Sequence, residues 1–337
     1  MESLATTLLR PGRIICRSHI TPHLRLPVLR PPAPRPLHSA TGPLPSLTLP
    51  TLLAPHLSCS QQAEHVAQVA AHLEADGILK ITLRFPDAAS AYLAALVRSL
   101  HAHHGHRLPV AHSATRGWFW DVQPDPQTVG GGGGGLARSE TMEAFPWHTD
   151  CSYEHPPPRF FALHVLRADR RGGGALSVMS AARLLRGLDD ATRGALARPD
   201  FRIAVPPEFA KDPALTSIRG SLISSSSSSE DPGPPLIRFR EDIVTPLGDE
   251  AAEALARLRE ALRREAEAAA MRLSAEELPA GSVLVMDNRR WLHARNAVAD
   301  PERHLRRVRW DAVPFLGNES LERDAARADT GEKKGVA

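Results

Sequence analysis

The sequence predicts an α+β protein whose core is a β-sandwich. Helical periodicity is concentrated at the front of the folded region, strand-length hydrophobic segments fill the C-terminal half, and no internal repeat is present. The chain has 337 residues, of which 42% are hydrophobic, and this is enough for one large domain or two small ones.

The front of the folded region is predicted to contain two helices around one strand. The stretch "CSQQAEHVAQVAAHLEADG" (59–77) reads as a helix that ends at Gly77, and "ILKITL" (78–83) reads as a short strand. A second helix follows in "ASAYLAALVRSLHAHHG" (89–105). The segment "RGWFWDVQP" (116–124) then leads into a loop that carries six consecutive glycines.

The remainder is predicted to be mainly strands, with one long charged helix at 249–273. Strand-like segments are "RFFALHVLRA" (159–168), "GALSVMSA" (174–181), "PLIRFRED" (235–242), "GSVLVMDNRRWLHARN" (281–296) and "RHLRRVRWDAVPF" (303–315). We predict a folded domain over 58–318, with flexible insertions at 129–136 and 223–235 and a disordered tail at 319–337.

The first fifty residues are rich in Arg, Ser, Thr and Leu and nearly free of acids. This composition is typical of a mitochondrial transit peptide, so we expect residues 1–50 to be either such a peptide or a disordered Pro-rich tail. A mitochondrial location follows from the first interpretation and a cytoplasmic one from the second. The prolines at positions 11, 27, 31, 32 and 34 confine any amphipathic helix to the first ten residues.

The net charge of +3 conceals an asymmetry along the chain. Residues 1–63 hold six arginines and one acid, a net charge of +5, so the remainder carries −2. A slightly acidic folded part provides no basic field for nucleic acid. No apolar run approaches the length of a membrane span. The three widely spaced cysteines form neither a zinc pattern nor a disulfide framework, which suits a reducing compartment.

The stretch "FPWHTDCSYE" (145–154) places His148 two residues before Asp150. On a strand, residues i and i+2 point to the same face, so both side chains could reach one metal ion. About two His-x-acid matches are expected by chance in a chain of this composition, and the pattern therefore needs context. A second match, His72 with Glu74, lies on a predicted helix, where the two side chains point about 200° apart.

A third ligand is offered by His293 in "VLVMDNRRWLHARNA", where a hydrophobic strand runs into a polar turn. Two histidines and one carboxylate on one face of Fe(II) leave positions open for a cosubstrate and O₂. The histidines at 101, 103, 104 and 106 are the main competitor for metal, and we interpret them as solvated because they have no acidic partner. The sequence thus predicts a metal site at His148, Asp150 and His293.

Four motifs in this order resemble the taurine dioxygenase/clavaminate synthase-like superfamily: "WHTD", "RRGGGALSV", "MDNRRWLHAR" and "ERHLRRVRW". The resemblance covers roughly residues 60–315 and implies an Fe(II)- and 2-oxoglutarate-dependent oxygenase on a double-stranded β-helix (jelly-roll) core with flanking helices. The stretch "HPPPRFFALHVLRADRRGGGALSVMSAARLL" is most similar to the amino-acid hydroxylase branch. Fe(II), 2-oxoglutarate as cosubstrate and O₂ are the cofactors that the resemblance implies.

The resemblance also implies an arginine that binds the distal carboxylate of 2-oxoglutarate. In the family it follows the second histidine by about one hairpin, and here Arg307 stands fourteen residues after His293. Arg303 matches a second family arginine on the same strand face, which Arg309 shares, whereas Arg306 is expected to point away. The alternative for an arginine-rich strand is a solvated edge.

One position departs from the family pattern. Members usually carry a threonine just after the glycine pair, whereas this chain has Ala175, so Ser177 is the candidate for the missing hydroxyl. The ligand carboxylate Asp150 is retained, although it is lost in the related halogenases. Hydroxylation or desaturation is therefore the expected reaction, with release of succinate and CO₂.

Trp118 and Trp120 are candidates for the wall of the substrate pocket, although such residues are more often core. The glycine run is either a mobile lid or a tolerated low-complexity insertion. The sequence leaves open the substrate, which could be an amino acid or a related amine or acid, and the oligomeric state. A non-catalytic metal-binding β-sandwich module is the alternative from a different class. A third interpretation, a cupin-like isomerase, lacks support because such an enzyme does not require an arginine after the second histidine.

Overall fold

A computed structural model of the chain describes residues 49–112, 117–124, 137–224, 234–315 and 319–323. Residues 1–48 of the predicted targeting segment and the glycine run at 129–136 lie outside these residues. Sixteen strands are present in the described ranges: β1 (Thr51–Ala54), β2 (Ile78–Leu83), β3 (Phe119–Val122), β4 (Phe145–His148), β5 (Pro158–Arg167), β6 (Leu176–Ser180), β7 (Phe201–Ala204), β8 (Leu215–Gly220), β9 (Ile223–Ser224), β10 (Leu236–Ile237), β11 (Val244–Pro246), β12 (Met271–Leu273), β13 (Ser282–Asp287), β14 (Trp291–Arg295), β15 (His304–Ala312) and β16 (Ser320–Arg323).

Five α-helices accompany the strands in the same ranges: α1 (Ala63–Ala75), α2 (Ala91–His104), α3 (Ala181–Arg186), α4 (Asp190–Leu196) and α5 (Asp249–Ala269). The first helix begins later than expected, because residues Leu57–Gln61 form a separate 3-10 turn. Chain direction changes at Gly77, whose φ of 69° lies in the left-handed region. No described helix is long and apolar enough to cross a bilayer.

The largest sheet has six strands in the order β1-β2-β13-β5-β15-β3. The β1–β2 pair is parallel and the other pairs are antiparallel. A second sheet of four antiparallel strands has the order β12-β6-β14-β4. A further four-stranded sheet, β11-β7-β8-β16, and the short β9–β10 pair complete the architecture. The protein is therefore a mixed α+β structure, as the sequence predicts.

Two hydrophobic layers cover the two faces of the six-stranded sheet. On one face, side chains such as Leu79, Phe160 and Trp310 pack with residues of α1 and α2. The opposite face, which includes Phe161 and Leu163, packs into a larger core with residues of the second sheet and of α3 to α5. Strand alternation explains this division, because Phe160 and Phe161 point to opposite sides.

The long charged helix α5 is buried along one stripe. Its buried residues recur at intervals of three and four: Ala251, Ala254, Leu255, Leu258, Ala261 and Leu262. This spacing produces a single apolar face toward the core, and the charged residues between them face outward. The helix ends at Ala269, before the strand β12 that the sequence pattern had included in it.

Two predicted boundaries were wrong. The tail expected to be disordered from residue 319 includes β16, which pairs with β8 so that Leu321 lies opposite Ile218. The insertion expected at 223–235 begins with β9, whose residues Ile223 and Ser224 are buried against β10. In both cases the neighbouring residues in the sequence are polar, so the local pattern does not reveal the short strand, which forms by pairing with another strand.

Candidate metal centre

His148, Asp150 and His293 come together in the structure, as predicted. One ligand atom from each lies within 4.8 Å of the others, and no other group of three or more candidate ligands occurs among the described residues. The strands β4 and β14 are antiparallel neighbours, and their register places His148 directly opposite His293. Asp150 Oδ1 lies 3.8 Å from His148 Nε2 and 3.9 Å from His293 Nε2.

The local environment of the three side chains fits a divalent metal. All three are buried, and the second carboxylate oxygen of Asp150 has no hydrogen-bond partner among the described residues. His148 Nδ1 lies 2.8 Å from the carbonyl oxygen of Pro146, which holds the proton on Nδ1 and leaves Nε2 with a free lone pair toward Asp150. Histidine nitrogens and a carboxylate suit Fe(II) or a similar ion.

The protonation states also fit metal binding. Burial, with a contribution from the neighbouring His293, lowers the pKa of His148 well below its ordinary value. Burial lowers the pKa of His293 to about 4. For Asp150, burial acts to raise the pKa, but the Arg307 guanidinium and the neighbouring cationic groups outweigh it and keep the pKa below its usual range. Near neutral pH the site thus presents two neutral imidazoles and one carboxylate.

Asn288, for which the sequence predicts no role, holds the backbone of Asp150. Its side-chain oxygen accepts a hydrogen bond from Asp150 N at 2.6 Å, and its amide nitrogen donates to Asp150 O at 2.7 Å. The same nitrogen donates to Pro158 O at 3.1 Å. The sequence signal that could have indicated this role is the position of Asn288 in "MDNRR", directly after a hydrophobic strand.

Arg307 lies against the metal-site carboxylate. It belongs to β15, opposite Leu163 of β5, and its Nη1 is 3.1 Å from Asp150 Oδ1. Its guanidinium also lies 5.9 Å from the centre of the Trp120 ring, on the neighbouring strand β3. Arg303, just before β15, lines the same cavity beside His293 and Arg307. The two arginines thus share one side of the strand, as the sequence analysis expected.

Two glycines of "RRGGGALSV" allow close approach, Gly174 of the Arg303 side chain and Gly173 of the backbone near Ala299. A Cβ on Gly174, whose φ is 63°, would lie 2.7 Å from Arg303 Nε, and one on Gly173 would lie 2.4 Å from Ala299 N. These distances exclude any side chain without local rearrangement. Arg303 Nη2 donates to Gly174 O at 3.3 Å, whereas Nη1 is buried without an acceptor among the described residues.

Arg306 points away from the cavity, as predicted. Its Nε donates to Asp121 at 2.7 Å and its Nη1 to Ala88 O at 3.0 Å. The alternation along β15 therefore places Arg307 and Arg309 on the cavity side and Arg306 on the other side.

Ser177 does not reach the cavity. In the register of β6 with β14, Val178 is opposite His293 and Ser177 is opposite Ala294. Directly opposed residues in a sheet project to the same face, so the Ser177 hydroxyl lies on the face away from the metal ligands. Leu176, its neighbour, lines the cavity instead. The expectation that Ser177 replaces the missing threonine was wrong. The alternation along β6 turns Leu176 and Val178 toward the metal ligands and Ser177 to the other face.

The two tryptophans occupy different environments. Trp120 is buried next to Arg307, with its ring 5.4 Å from that of Phe209, so it lies at the edge of the metal cavity. Trp118 is half-buried, and its ring packs against Arg98 of α2 at 5.4 Å. Trp118 therefore contacts the helical layer, which corrects its assignment to the substrate pocket.

The histidine group near the end of α2 also differs in part from expectation. His101, His103 and His104 are exposed, as expected. His106 is buried, stacks on Phe160 at 4.8 Å and accepts a hydrogen bond from Trp310 Nε1 at 3.0 Å. His106 is therefore a core histidine. The residue pattern of the helix does not indicate that the chain turns toward the core after Gly105.

Four further arginines surround the metal ligands. Arg138, Arg240 and Arg309 line one side of the site together with Arg307, and Arg295 lies on the other side with Arg303. Arg295 donates to the carbonyl oxygens of Ser139, Thr141 and Glu143 and so fixes the segment that precedes β4. Burial lowers the pKa of Arg295 to about 9 and the pKa values of Arg303 and Arg309 to about 10.

The sequence profile of the taurine catabolism dioxygenase TauD, TfdA family matches residues 53–309. An L-asparagine oxygenase of Streptomyces coelicolor is 32% identical over 157 residues, which are 44% of this chain and 41% of that protein. The aligned part thus spans less than half of that relative.

Solved structures of non-heme iron oxygenases share the fold. Asparagine oxygenase in complex with Fe(II), 2S,3S-3-hydroxyasparagine and succinate superposes with a TM-score of 0.58 at 20% identity, covering 77% of this chain and 92% of that one. The oxygenase OrfP in complex with Fe and α-ketoglutaric acid gives a TM-score of 0.53 at 16% identity, covering 77% and 86%.

Proposed function

The chain belongs to the taurine catabolism dioxygenase TauD, TfdA family, and on that premise we propose that it is an Fe(II)- and 2-oxoglutarate-dependent oxygenase. In this proposal it hydroxylates, or desaturates, a small molecule such as an amino acid or a related amine or acid. The buried group of His148, Asp150 and His293 is the observation that carries the proposal, because its ligand atoms converge within 4.8 Å.

The proposal includes a finer description of the fold as a double-stranded β-helix. The six-stranded and four-stranded sheets pack through one core, and Phe161 of β5 lies 4.7 Å from the His293 ring of β14. The metal ligands therefore lie between two sheets, an arrangement that supports a jelly roll with its site inside the barrel. The helices α1 and α2 flank the larger sheet.

Three residues would hold the metal and one or two would hold the cosubstrate. When bound, Fe(II) and 2-oxoglutarate supply the oxidative chemistry: O₂ is consumed, 2-oxoglutarate leaves as succinate and CO₂, and one oxygen atom enters a C–H bond of the substrate. Arg307 is proposed to pair with the distal carboxylate of 2-oxoglutarate, with Arg303 as its neighbour in the same cavity. A planar guanidinium suits this role because it can bind both carboxylate oxygens.

The other side chains shape the site and exclude water. Phe145 stacks on the His148 ring at 3.7 Å, and Phe161 covers the His293 ring. These rings fix the imidazole planes and leave little room for solvent near the metal. A low-dielectric surrounding of this kind strengthens the interaction of Asp150 with a bound cation.

The alternative is a β-sandwich module that binds metal without catalysis. The absence of the usual threonine at Ala175 is the feature that favours it. Formation of succinate from 2-oxoglutarate by the Fe(II)-loaded protein, measured across a panel of amino acids, amines and sulfonates, tests the proposal. We expect at least one compound to accelerate succinate formation, and a protein that forms no succinate with or without any compound would support the alternative.

A further inference from the structure

The space beside the metal ligands is too small for an organic molecule. Its volume is about 20 Å³ on the side lined by Asp150 and Tyr153 and about 40 Å³ on the side lined by His293, which is room for only a few water molecules. The histidine ligands lie on strands that are hydrogen-bonded into a sheet. A part of the wall that lies outside the strands must therefore move before a small organic molecule can enter.

Two aromatic side chains outside the strands form part of that wall. Tyr153 lies in the segment between β4 and β5, and Phe209 lies in the segment between β7 and β8. The two rings stack with their centres 5.3 Å apart, and both side chains are buried. Lys211 Nζ also donates a hydrogen bond to Glu154 Oε2 at 3.0 Å, which joins the two segments by an ion pair. Separation of these two wall segments would open the cavity.

The strand β16 contacts the first wall segment. The Glu319 carboxylate contacts His155 Nδ1, two residues after Tyr153, and forms an ion pair with Arg238 Nη1 at 2.5 Å. The side chain of Glu319 is fully buried, and that of Arg238 is almost so. Removal of one partner of a buried ion pair leaves an uncompensated charge, so this end of β16 is firmly attached.

The same strand contacts the second wall segment. Arg323 Nη1 donates a hydrogen bond to Asp212 Oδ2, three residues after Phe209. Between its two ends β16 pairs with β8, and Glu322 accepts a hydrogen bond from Arg202 of β7 at 2.8 Å. The strand β16 therefore contacts both of the segments that carry the aromatic side chains.

We infer that β16 controls access to the metal cavity by holding the two wall segments together. Glu319 and Arg323 are the positioning residues, and they act through the segments that carry Tyr153 and Phe209. The inference goes beyond the proposed function, because it concerns the opening of the cavity and not the reaction within it.

The two ends of β16 differ in how strongly they are held. The side chains of Arg323 and Asp212 are 56% and 38% exposed, and an exposed ion pair contributes little to stability. The contact of Glu319 is buried instead. The segment of Phe209 is therefore the side that moves, whereas β16 and the segment of Tyr153 stay in place.

Cys151 provides a direct measure of this opening. It is buried in the wall of the same cavity, and its sulfur accepts a hydrogen bond from the Tyr153 hydroxyl at 3.8 Å. Cys59 is buried in the helical layer on the other face of the six-stranded sheet and is the internal control. The protein, without metal or 2-oxoglutarate, is treated with iodoacetamide, and mass spectrometry of the peptides gives the alkylation rate of each cysteine.

Replacement of Arg323 tests the exposed end of β16. Arg323→Gln should raise the alkylation rate of Cys151 by about 2- to 5-fold, the order by which an exposed ion pair shifts a local equilibrium, and should leave the rate of Cys59 unchanged. Arg323→Lys keeps the charge and should restore most of the protection. Arg198→Gln is the matched control, because Arg198 is an exposed, ion-paired arginine whose partners belong neither to β16 nor to the wall segments.

The ionic strength tests whether the ion pair is the cause. Salt screens exposed charges, so an increase from about 0.05 to 0.5 M NaCl should accelerate the alkylation of Cys151 in the wild type. The acceleration should be smaller in Arg323→Gln, in which the pair with Asp212 is already lost. An equal acceleration in both proteins would contradict the role of this pair.

Two shortened chains separate β16 from the residues that follow it. A chain that ends at Asn318 lacks the strand and should alkylate Cys151 about 10-fold faster or more, whereas a chain that ends at Arg323 should behave like the full chain. A Cys151 rate in Arg323→Gln equal to that of the wild type would overturn the inference. A parallel rise at Cys59 in Arg323→Gln would also overturn it, because β16 would then only stabilise the whole fold. These measurements involve neither iron nor 2-oxoglutarate, so either result leaves the test of the proposed function independent.

Discussion

Asn288 binds both backbone groups of Asp150, accepting from its N–H at 2.6 Å and donating to its carbonyl at 2.7 Å. Asp150 lies two residues beyond the end of β4, where no strand in the described ranges supplies these hydrogen bonds. The amide of Asn288 replaces the missing strand, and its third bond, to Pro158 O, ties the metal loop to the start of β5. The position of the ligand carboxylate thus depends on a residue that does not touch the metal.

Asn288→Ala should weaken Fe(II) binding by roughly 10-fold, because residues that orient ligands typically contribute 10- to 100-fold to metal affinity. It should also lower the free energy of unfolding by about 1–3 kcal/mol, since two buried backbone groups lose their partner. Competition with a chelator and thermal unfolding measure the two effects. The exposed Asn296→Ala is the control, and iron affinity in Asn288→Ala equal to that of Asn296→Ala would refute the orienting role.

Arg307→Ala should weaken 2-oxoglutarate binding by roughly 30-fold to several-thousand-fold, because loss of one partner of a buried charged pair costs about 2–5 kcal/mol. Iron affinity should stay the same or rise, since a positive charge 3.1 Å from Asp150 is removed. Titration of 2-oxoglutarate against the Fe(II) protein is the measurement.

Two neighbouring arginines serve as comparisons for that titration. Arg303→Ala should fall between Arg307→Ala and the wild type, because Arg303 lines the same cavity. Arg306→Ala, whose side chain pairs with Asp121 on the other side of β15, should change little. An Arg307→Ala protein that binds 2-oxoglutarate like the wild type would show that the anchor is misassigned.

Glu319→Ala should destabilise the protein by about 3–5 kcal/mol, because it leaves the fully buried Arg238 without its ion-pair partner. The double variant Arg238→Met with Glu319→Leu removes both charges and should lose much less stability. Chemical unfolding of the wild type and the two variants provides the comparison. Equal losses in both variants would indicate that the charge pair is not what couples this C-terminal segment to the core.

Residues 1–50 remain predicted to be a mitochondrial transit peptide, on composition alone. A fluorescent reporter fused to this segment should enter mitochondria, and replacement of Arg10, Arg13 and Arg17 by Gln should reduce its import. A diffuse cytosolic signal from the unmodified fusion would leave only the interpretation as a disordered tail.

The sequence predicted the metal ligands because the two histidines and the aspartate lie at recognisable strand ends. It also predicted the opposite directions of Arg306 and Arg307, which follow from strand alternation alone. The prediction for Ser177 was wrong because the face to which a strand residue points depends on the register of the strand. The register of β6 is set by its pairing with β14, which the sequence does not reveal.

Other features depend on contacts that no local pattern encodes. Asn288 reaches Asp150 across 138 positions of the chain, and β16 needs β8 as its partner. The proximity of the buried Arg309 to Glu154, 3.7 Å away, is visible only in the folded structure. Short strands in polar surroundings and buried charges are therefore the parts of this fold that sequence reasoning misses.

The central claim is that His148, Asp150 and His293 hold one Fe(II) ion, and metal binding to the wild type and to the double variant His148→Ala with His293→Ala tests it most directly. The wild type should bind about one equivalent of Fe(II), because three buried ligand atoms converge on one point. The double variant should bind none, whereas the control His101→Ala with His103→Ala, at exposed positions of α2, should bind like the wild type. Unchanged Fe(II) affinity in the His148→Ala, His293→Ala protein would contradict the account.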